Sequence, residues 1–366
     1  MRILHLATHC WRGFGNVHVG VDLACVQAQN GHTVAFASAG GTYVDLLGSY
    51  GVDHVMFTQN IKNPFSAVAS VARLGRLCAT FRPDVIHAHM NPAALLGYMV
   101  GKAMRVPLVN TVHNSFDRTS YVMRFGDRVV AVSNPEKEFL LQRGFPADRL
   151  DVVTNGPNGT PREHTKLEAE DAESIEIEKP AVITVCGLHK RKGIDFLIRA
   201  FDQATKAHPQ WRLYIAGWGP DYDKLIALSD EFGLKDRVIL LRYVANPKPL
   251  LAQSDIFVLA SLAEPGALSI GEARGAGCAV IGTKVGGIPE QLEYGRAGTL
   301  VEPANVEQLT EALRALMDDP AKLAEAKARA LANSERFDIR RVVTDYDEVY
   351  KRAITSFKRP VPVEAT

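Results

Sequence analysis

The sequence predicts an α/β protein made of two Rossmann-like domains. Three observations predict it. The chain has 366 residues, enough for two domains of ordinary size. A strand, a glycine-bearing loop, a helix and a second strand follow one another from Arg2, and the same succession begins again at Ala181. Between the two lies a charged stretch from Glu163 to Glu178, with Pro161 before it and Pro180 after, where Glu163, Glu168, Glu170, Asp171, Glu173, Glu176 and Glu178 stand against Lys166. It reads as an exposed connector. The expected division is an N-terminal domain over 1–160, a linker over 161–179 and a C-terminal domain over 180–337.

Bulk properties narrow the class. The net charge of +1 argues neither for nor against nucleic acid, and no nucleic-acid partner is expected. The five cysteines are an odd number with no C-x-x-C pair, which fits a reduced cytoplasm and offers neither a disulfide framework nor a metal site. Met1-Arg-Ile-Leu-His-Leu enters a strand directly, so no cleaved leader is expected, and no apolar run is long enough to span a membrane. Charge is locally uneven. From Ile61 to Arg128 there are nine bases against three acids, and the segment from Phe65 to Leu77 is amphipathic with arginines on its polar side. The plain reading is a surface helix; the sharper one is peripheral contact with an anionic membrane.

In the first half, Arg2–Ala7 is a strand, Gly13-Phe-Gly15 a turn, Val17–Gln29 a helix and Thr33–Ala37 the next strand. A dinucleotide fingerprint would need glycine where His18 stands and an acid after the second strand, so NAD is not expected. Asp84–His89 is a strand ending in two histidines, and Val109–His113 ends in a third. Strands follow at Arg128–Ser133 and Asp151–Gly156. In an open parallel sheet these carboxyl ends face the ligand crevice. The histidines have no regular metal-ligand spacing, and no metal is expected.

The second half opens with the strand Ala181–Cys186 and the basic loop Gly187-Leu-His-Lys-Arg-Lys-Gly193, suited to clamping a diphosphate. Asp221-Tyr-Asp223 spells D-x-D but falls in the first turn of a helix, where acids favour the dipole, so it is read as structural. The most informative stretch runs from Ser261 to Glu290. A buried strand over Asp255–Ala260 leads to Glu264-Pro-Gly-Ala, then a helix from Leu268 to Gly277, then the strand Ala279–Ile281. Glu264 is expected on the loop and Glu272 one turn into the helix, eight residues on, both facing one crevice. Free N–H groups at the helix start, at Leu268 and Ser269, suit a phosphate. Gly266 and Ala267 let backbone approach a ligand closely. Two carboxylates flanking a phosphate cradle want hydroxyls on either side of it, which is the shape of a nucleotide-sugar.

Glu264, seven residues, Glu272-Ala, then Gly277-Cys-Ala-Val-Ile and Val285-Gly-Gly-Ile-Pro-Glu290 resemble the signature of glycosyltransferase family 4, retaining enzymes of the GT-B fold. The resemblance covers most of residues 1–355. It implies two Rossmann-like domains facing each other across a cleft, with a C-terminal helix, 338–358, crossing back onto the first. It implies a nucleotide-diphosphate sugar as donor substrate, with no cofactor and no metal, and a saccharide or lipid-linked acceptor in bacterial surface glycan synthesis. Glu272 would bind the ribose, while Glu264 would contact the donor sugar. Lys192 would stabilise the leaving diphosphate, and His113 would lie near the transferred sugar. Gly13 and Gly15 match the loop that reaches the donor phosphates. Tyr243 and Val244 match one beside the base.

The chain also departs from the family pattern. The family reads Gly-Arg at the start of the basic loop, where this chain has Gly187-Leu188. Lys190 or Arg191 is the candidate for the missing charge. Gly271 stands where relatives have leucine, and with Gly275 it allows either close ligand approach or tight packing. Two rival readings share the architecture: a GT-B nucleotide-sugar epimerase, and a non-catalytic partner of an active transferase, the latter resting on Leu188.

Overall fold

The computed structural model describes residues 1–60, 63–165 and 175–358. They divide into two compact units. One holds Met1–Asn155, Thr160–Arg162 and the segment from Ile339; the other holds Gly156–Gly159 and Glu163–Asp338. The acidic run at 166–174 and the tail after 358 lie outside the described residues.

The first unit is a parallel seven-stranded sheet. Its strands are β1 (Arg2–Leu6), β2 (Thr33–Ser38), β3 (Asp53–Met56), β4 (Val85–Ala88), β5 (Leu108–Val112), β6 (Arg128–Ala131) and β7 (Leu150–Val152), in the order β3-β2-β1-β4-β5-β6-β7. Strands this apolar, with Ile3, Leu4, Val85, Ile86, Val109 and Val130 all fully buried, belong in a sheet covered on both faces. On one face the helices Pro64–Phe81 and Asn91–Met104 contribute Leu74, Phe81, Leu96 and Val100. On the other lie the helix Gly15–Gln29 and the C-terminal helix Ile339–Lys358, whose Val343, Tyr346 and Tyr350 pack on β1, β4 and β5. The helix Pro64–Phe81 starts with proline at its first turn and a reciprocal Asn63–Ser66 capping box.

The second unit has six parallel strands: β8 (Ala181–Val185), β9 (Arg212–Ala216), β10 (Val238–Arg242), β11 (Ile256–Leu259), β12 (Ala279–Thr283) and β13 (Thr299–Val301), in the order β10-β9-β8-β11-β12-β13. Each sheet reverses its strand order once, between β1 and β4 in the first and between β8 and β11 in the second. Ligands of open α/β sheets bind beyond the carboxyl ends at such points. The loops after these four strands carry Gly13, His89, Gly187 and Glu264.

Two expectations about the connector are corrected. The segment Gly156–Gly159 belongs to the second unit, because the Asn158 side-chain amide donates to the Gly271 carbonyl at 3.0 Å and its backbone bridges to Asp338. Nor is the connector exposed throughout. Arg162 is buried against Asp22 at 2.9 Å, Glu163 pairs with Lys248 at 2.5 Å, and Ile177 joins the core of the second unit. Among the described residues no helix is long and apolar enough to cross a membrane. All five cysteines are free thiols.

Candidate functional site

The second unit assembles the charged part of the site. After β11 the chain turns through Ser261 and Leu262 to Glu264, whose side chain is only 7% exposed. Lys192 Nζ donates to Glu264 Oε2, Ser261 Oγ donates to the same oxygen at 3.4 Å, and Arg191 lies 3.8 Å from it. The basic loop and the Glu264 loop are stitched together. The Leu262 N–H donates to the Arg191 carbonyl at 2.7 Å, and the Arg191 guanidinium donates to the Ala263 carbonyl at 3.2 Å.

Two glycines make this approach possible. Gly193, in the left-handed region at φ 62, would place a Cβ 2.1 Å from the Ala260 carbonyl oxygen. Gly286, at φ 49, would place one 1.8 Å from the Glu264 carbonyl oxygen, to which the Gly287 N–H donates at 2.9 Å. The Val-Gly-Gly-Ile-Pro-Glu segment therefore braces Glu264 from behind.

The helix Leu268–Gly275 follows, with extended Ala267 before it and no side-chain cap. The N–H groups of Leu268 and Ser269 thus sit in an uncapped first turn near Glu264 in sequence. Ala267 itself is not available to a ligand: its N–H donates to Gln291 Oε1 at 3.0 Å, and its carbonyl accepts from Gln291 Nε2 at 2.7 Å. Gln291 is fully buried, and its position could not be linked to Ala267 from sequence. Gly266 is half-buried in the same turn.

Glu272, also 7% exposed, lines a cavity of about 450 Å³ with Asn158, Lys248, Gly275, Ser334 and Asp338. Glu264 is not among the lining residues, so the two carboxylates do not share this cavity. The glycines of this helix serve packing. A Cβ on Gly271 would lie 2.9 Å from Pro157 Cγ and 3.1 Å from Phe337, and one on Gly275 would lie 2.6 Å from the Asn158 amide nitrogen.

The remaining expected donor contacts divide. Leu188 is fully buried in the core and could hold no charge there. Of the three bases after it, Arg191 and Lys192 reach Glu264, whereas Lys190 is exposed. Gly187 is half-buried beside the His189 ring. Tyr243 is half-buried after β10, but the Val244 side chain is in the core, leaving only its backbone for a ligand. Arg242 stacks over Trp218 and Tyr222, a cluster not anticipated from sequence. Asp221 and Asp223 sit at the start of the helix Tyr222–Glu231, with Lys224 3.4 Å from Asp221.

In the first unit Gly13 (φ 93), in the loop after β1, and Gly15, at the start of the following helix, are exposed, as are Trp11 and Phe14. The Gly13 N–H points at His18 Nε2, 3.4 Å away. His113 follows β5 and joins a buried network. Its Nε2 meets His89 Nδ1 at 3.3 Å, His89 Nε2 meets His5 Nδ1 at 2.9 Å, and His5 Nε2 meets Gln27 Oε1 at 2.8 Å. The network continues from Gln27 to the Tyr350 hydroxyl at 3.2 Å, to His87 Nδ1 at 2.8 Å, from His87 Nε2 to Thr111 at 2.7 Å and on to the Tyr346 hydroxyl at 2.8 Å. Burial drives the imidazole of His5 and that of His113 down to about 4, and those of His87 and His89 well below the ordinary range. His5, His87 and His89 lie close enough to hold a metal, but all six of their ring nitrogens already have hydrogen-bond partners within the protein.

Comparison with known proteins agrees with the fold. The family described as Glycosyl transferases group 1 matches residues 166–333, and Glycosyltransferase Family 4 matches 17–158. The chain is 26% identical to an N-acetyl-alpha-D-glucosaminyl L-malate synthase of Bacillus anthracis, over 92% of this chain and 93% of that one. It is 28% identical to a D-inositol 3-phosphate glycosyltransferase of Thermobispora bispora, over 82% of this chain and 78% of that one. Among solved structures it resembles HepE of Anabaena in complex with UDP and glucose, with a TM-score of 0.80 and 25% identity over 96% of this chain and 100% of that one.

Proposed function

The chain belongs to glycosyltransferase family 4 with a GT-B fold, and on that premise we propose that it moves a sugar from a nucleotide-diphosphate donor to a saccharide or lipid-linked acceptor, retaining the anomeric configuration. The observation that carries this reading is the Lys192–Glu264 pair, with the uncapped start of the helix Leu268–Gly275 four residues on in sequence. A diphosphate settling at Leu268 and Ser269 N–H groups takes Lys192 as its counter-charge, and the released Glu264 carboxylate turns to donor hydroxyls. Charge on the leaving phosphate grows in the transition state, so Lys192, backed by Arg191, assists departure. Glu272 is assigned the hydroxyls of the ribose, and His113 is assigned to the transferred sugar on the family resemblance. The acceptor oxygen attacks from the face the phosphate leaves, and the phosphate takes its proton. No metal is assigned a role.

The donor is read as a uridine nucleotide-sugar because HepE was solved with UDP and glucose. A bacterial surface glycan is the proposed product, made at the cytoplasmic face of a membrane. Peripheral membrane contact is supported by the helix Pro64–Phe81, where Phe65 is 89% and Val68 69% exposed and Arg73 and Arg76 are exposed further along. Malate and inositol 3-phosphate belong in the acceptor panel, since they appear in the names of relatives.

The test is a screen of UDP- and other nucleotide-sugars for acceptor-dependent nucleotide release, with EDTA present and absent, followed by determination of the product anomer. An inverted anomer overturns the retaining mechanism, and loss of turnover in EDTA overturns metal independence. Release of a free 2-epimer without acceptor favours the epimerase, and donor binding without turnover favours the non-catalytic partner.

A further inference from the structure

The histidines behind His113 form a chain of hydrogen bonds with one direction. In the structure the Gln27 carbonyl oxygen faces His5 and its amide nitrogen faces Tyr350. An amide oxygen only accepts, so His5 carries its proton on Nε2 and leaves Nδ1 bare. His89 Nε2–H then donates to His5 Nδ1, which leaves His89 Nδ1 bare, and His113 Nε2–H donates to His89. His113 is left with Nδ1 unprotonated, and among the described residues this nitrogen has no hydrogen-bond partner.

We propose that Gln27, His5 and His89 are positioning residues that fix the tautomer of His113, presenting Nδ1 as a hydrogen-bond acceptor for a hydroxyl of the bound sugar. The part concerning the sugar rests on the proposed function; the tautomer does not. His5 is fully buried and His89 nearly so, which makes water no substitute for the protein partners. Desolvation keeps every ring in the relay neutral, as a one-proton-per-ring chain requires. The relay is built from well-separated elements: His5 is on β1, Gln27 on the helix behind it, His89 just beyond β4, and His113 just beyond β5. Gly20, on that helix, faces the His89 ring, and a Cβ there would be in ordinary van der Waals contact with it, 3.4 Å from three of its atoms.

The experiment uses the full chain labelled with 15N-histidine, with His113 assigned by its loss in His113→Ala. At neutral pH, NMR is expected to show His113 neutral, protonated on Nε2 and bare on Nδ1. A proton on Nδ1, or a ring averaging between tautomers, overturns the proposal whether or not any transferase activity is found. Gln27→Met removes the group that sets the direction, and both His113 tautomers are then expected; an unchanged spectrum counts against the relay.

Kinetics read the second part. His89→Phe and His113→Ala are each expected to lower kcat/KM about ten-fold, with the double variant no worse than either. His89→Gln, whose amide can accept from His113 and donate to His5, is expected to recover most of the loss. Additive losses, or a glutamine no better than phenylalanine, overturn the positioning role. An active enzyme indifferent to His113→Ala overturns only the sugar contact, and the spectrum still decides the tautomer.

Discussion

Pro157 packs its ring on the bare face of Gly271: a Cβ there would stand 2.9 Å from Pro157 Cγ. The contact gives a physical reason for glycine at a position where the family favours leucine. Gly271→Ala should gain about 1 kcal/mol of helix propensity and lose about 1–3 kcal/mol to overpacking. The net expectation is destabilisation of the second unit by about 1 kcal/mol, and by more for Gly271→Leu. Calorimetric unfolding checks this, and a stabilised variant would contradict the packing account.

Lys192→Ala should leave Glu264 nearly buried, with Arg191, 3.8 Å away, as the one nearby cation among the described residues. If Lys192 serves the leaving group, kcat should fall roughly 100-fold or more, with a smaller change in KM. Lys192→Arg should restore part of it. Steady-state nucleotide release separates the two parameters.

Glu272 is assigned to donor binding, so its loss should appear in affinity first. Two charge-assisted hydrogen bonds at about 1.5–3 kcal/mol each correspond to a weakening of roughly two orders of magnitude or more for Glu272→Ala. Titration calorimetry with the nucleotide-sugar and with the free nucleotide measures it. Equal affinities in wild type and variant would remove Glu272 from the ribose.

The buried histidines make stability depend on pH. His5 has its value lowered from an ordinary 6.5 to about 4, so the folded chain takes up its proton later than the unfolded chain as pH falls. Its contribution is fully present above about 6.5 and is lost as pH falls toward 4, a change on the order of 3 kcal/mol. His113 shifts the same way. The Tm should therefore drop through this window, and His5→Gln should show a shallower drop.

Phe65→Ser with Val68→Ser should abolish binding to anionic vesicles without altering turnover on a soluble acceptor. Sedimentation with vesicles of anionic and of neutral lipid, at low salt, reads it. Equal binding of the double variant would locate membrane contact elsewhere.

Much of this was legible in the sequence because it is local. The spacing of Glu264 and Glu272, the strand before them and the glycines at 286 and 287 all lie within one short βαβ segment, where periodicity and turn chemistry speak directly. What was missed depends on contacts distant in sequence. Gln291 closes off the Ala267 backbone from 24 residues away. Leu188 occupies the position of a family arginine, and nothing local says that the loop turns it into the core. The expected connector boundary failed for the same reason, since Pro157 and Asn158 are placed by Gly271 and Gly275. His87 and His89 were legible as strand-end histidines. Their partners were not: His5 becomes a neighbour only through the pairing of β1 with β4, and Tyr350 approaches His87 from 263 residues away.

The placement of Tyr346 and Tyr350 has a consequence for how the chain is made. Their hydroxyls close a network whose first member is His5, so β1 waits for a helix encoded after the whole second unit. The later-encoded unit has all its strands in hand first and can fold as a finished insert while the earlier one is still open along one face. Emergence of the helix Ile339–Lys358, rather than of residue 155, is then the event that completes the amino-terminal half.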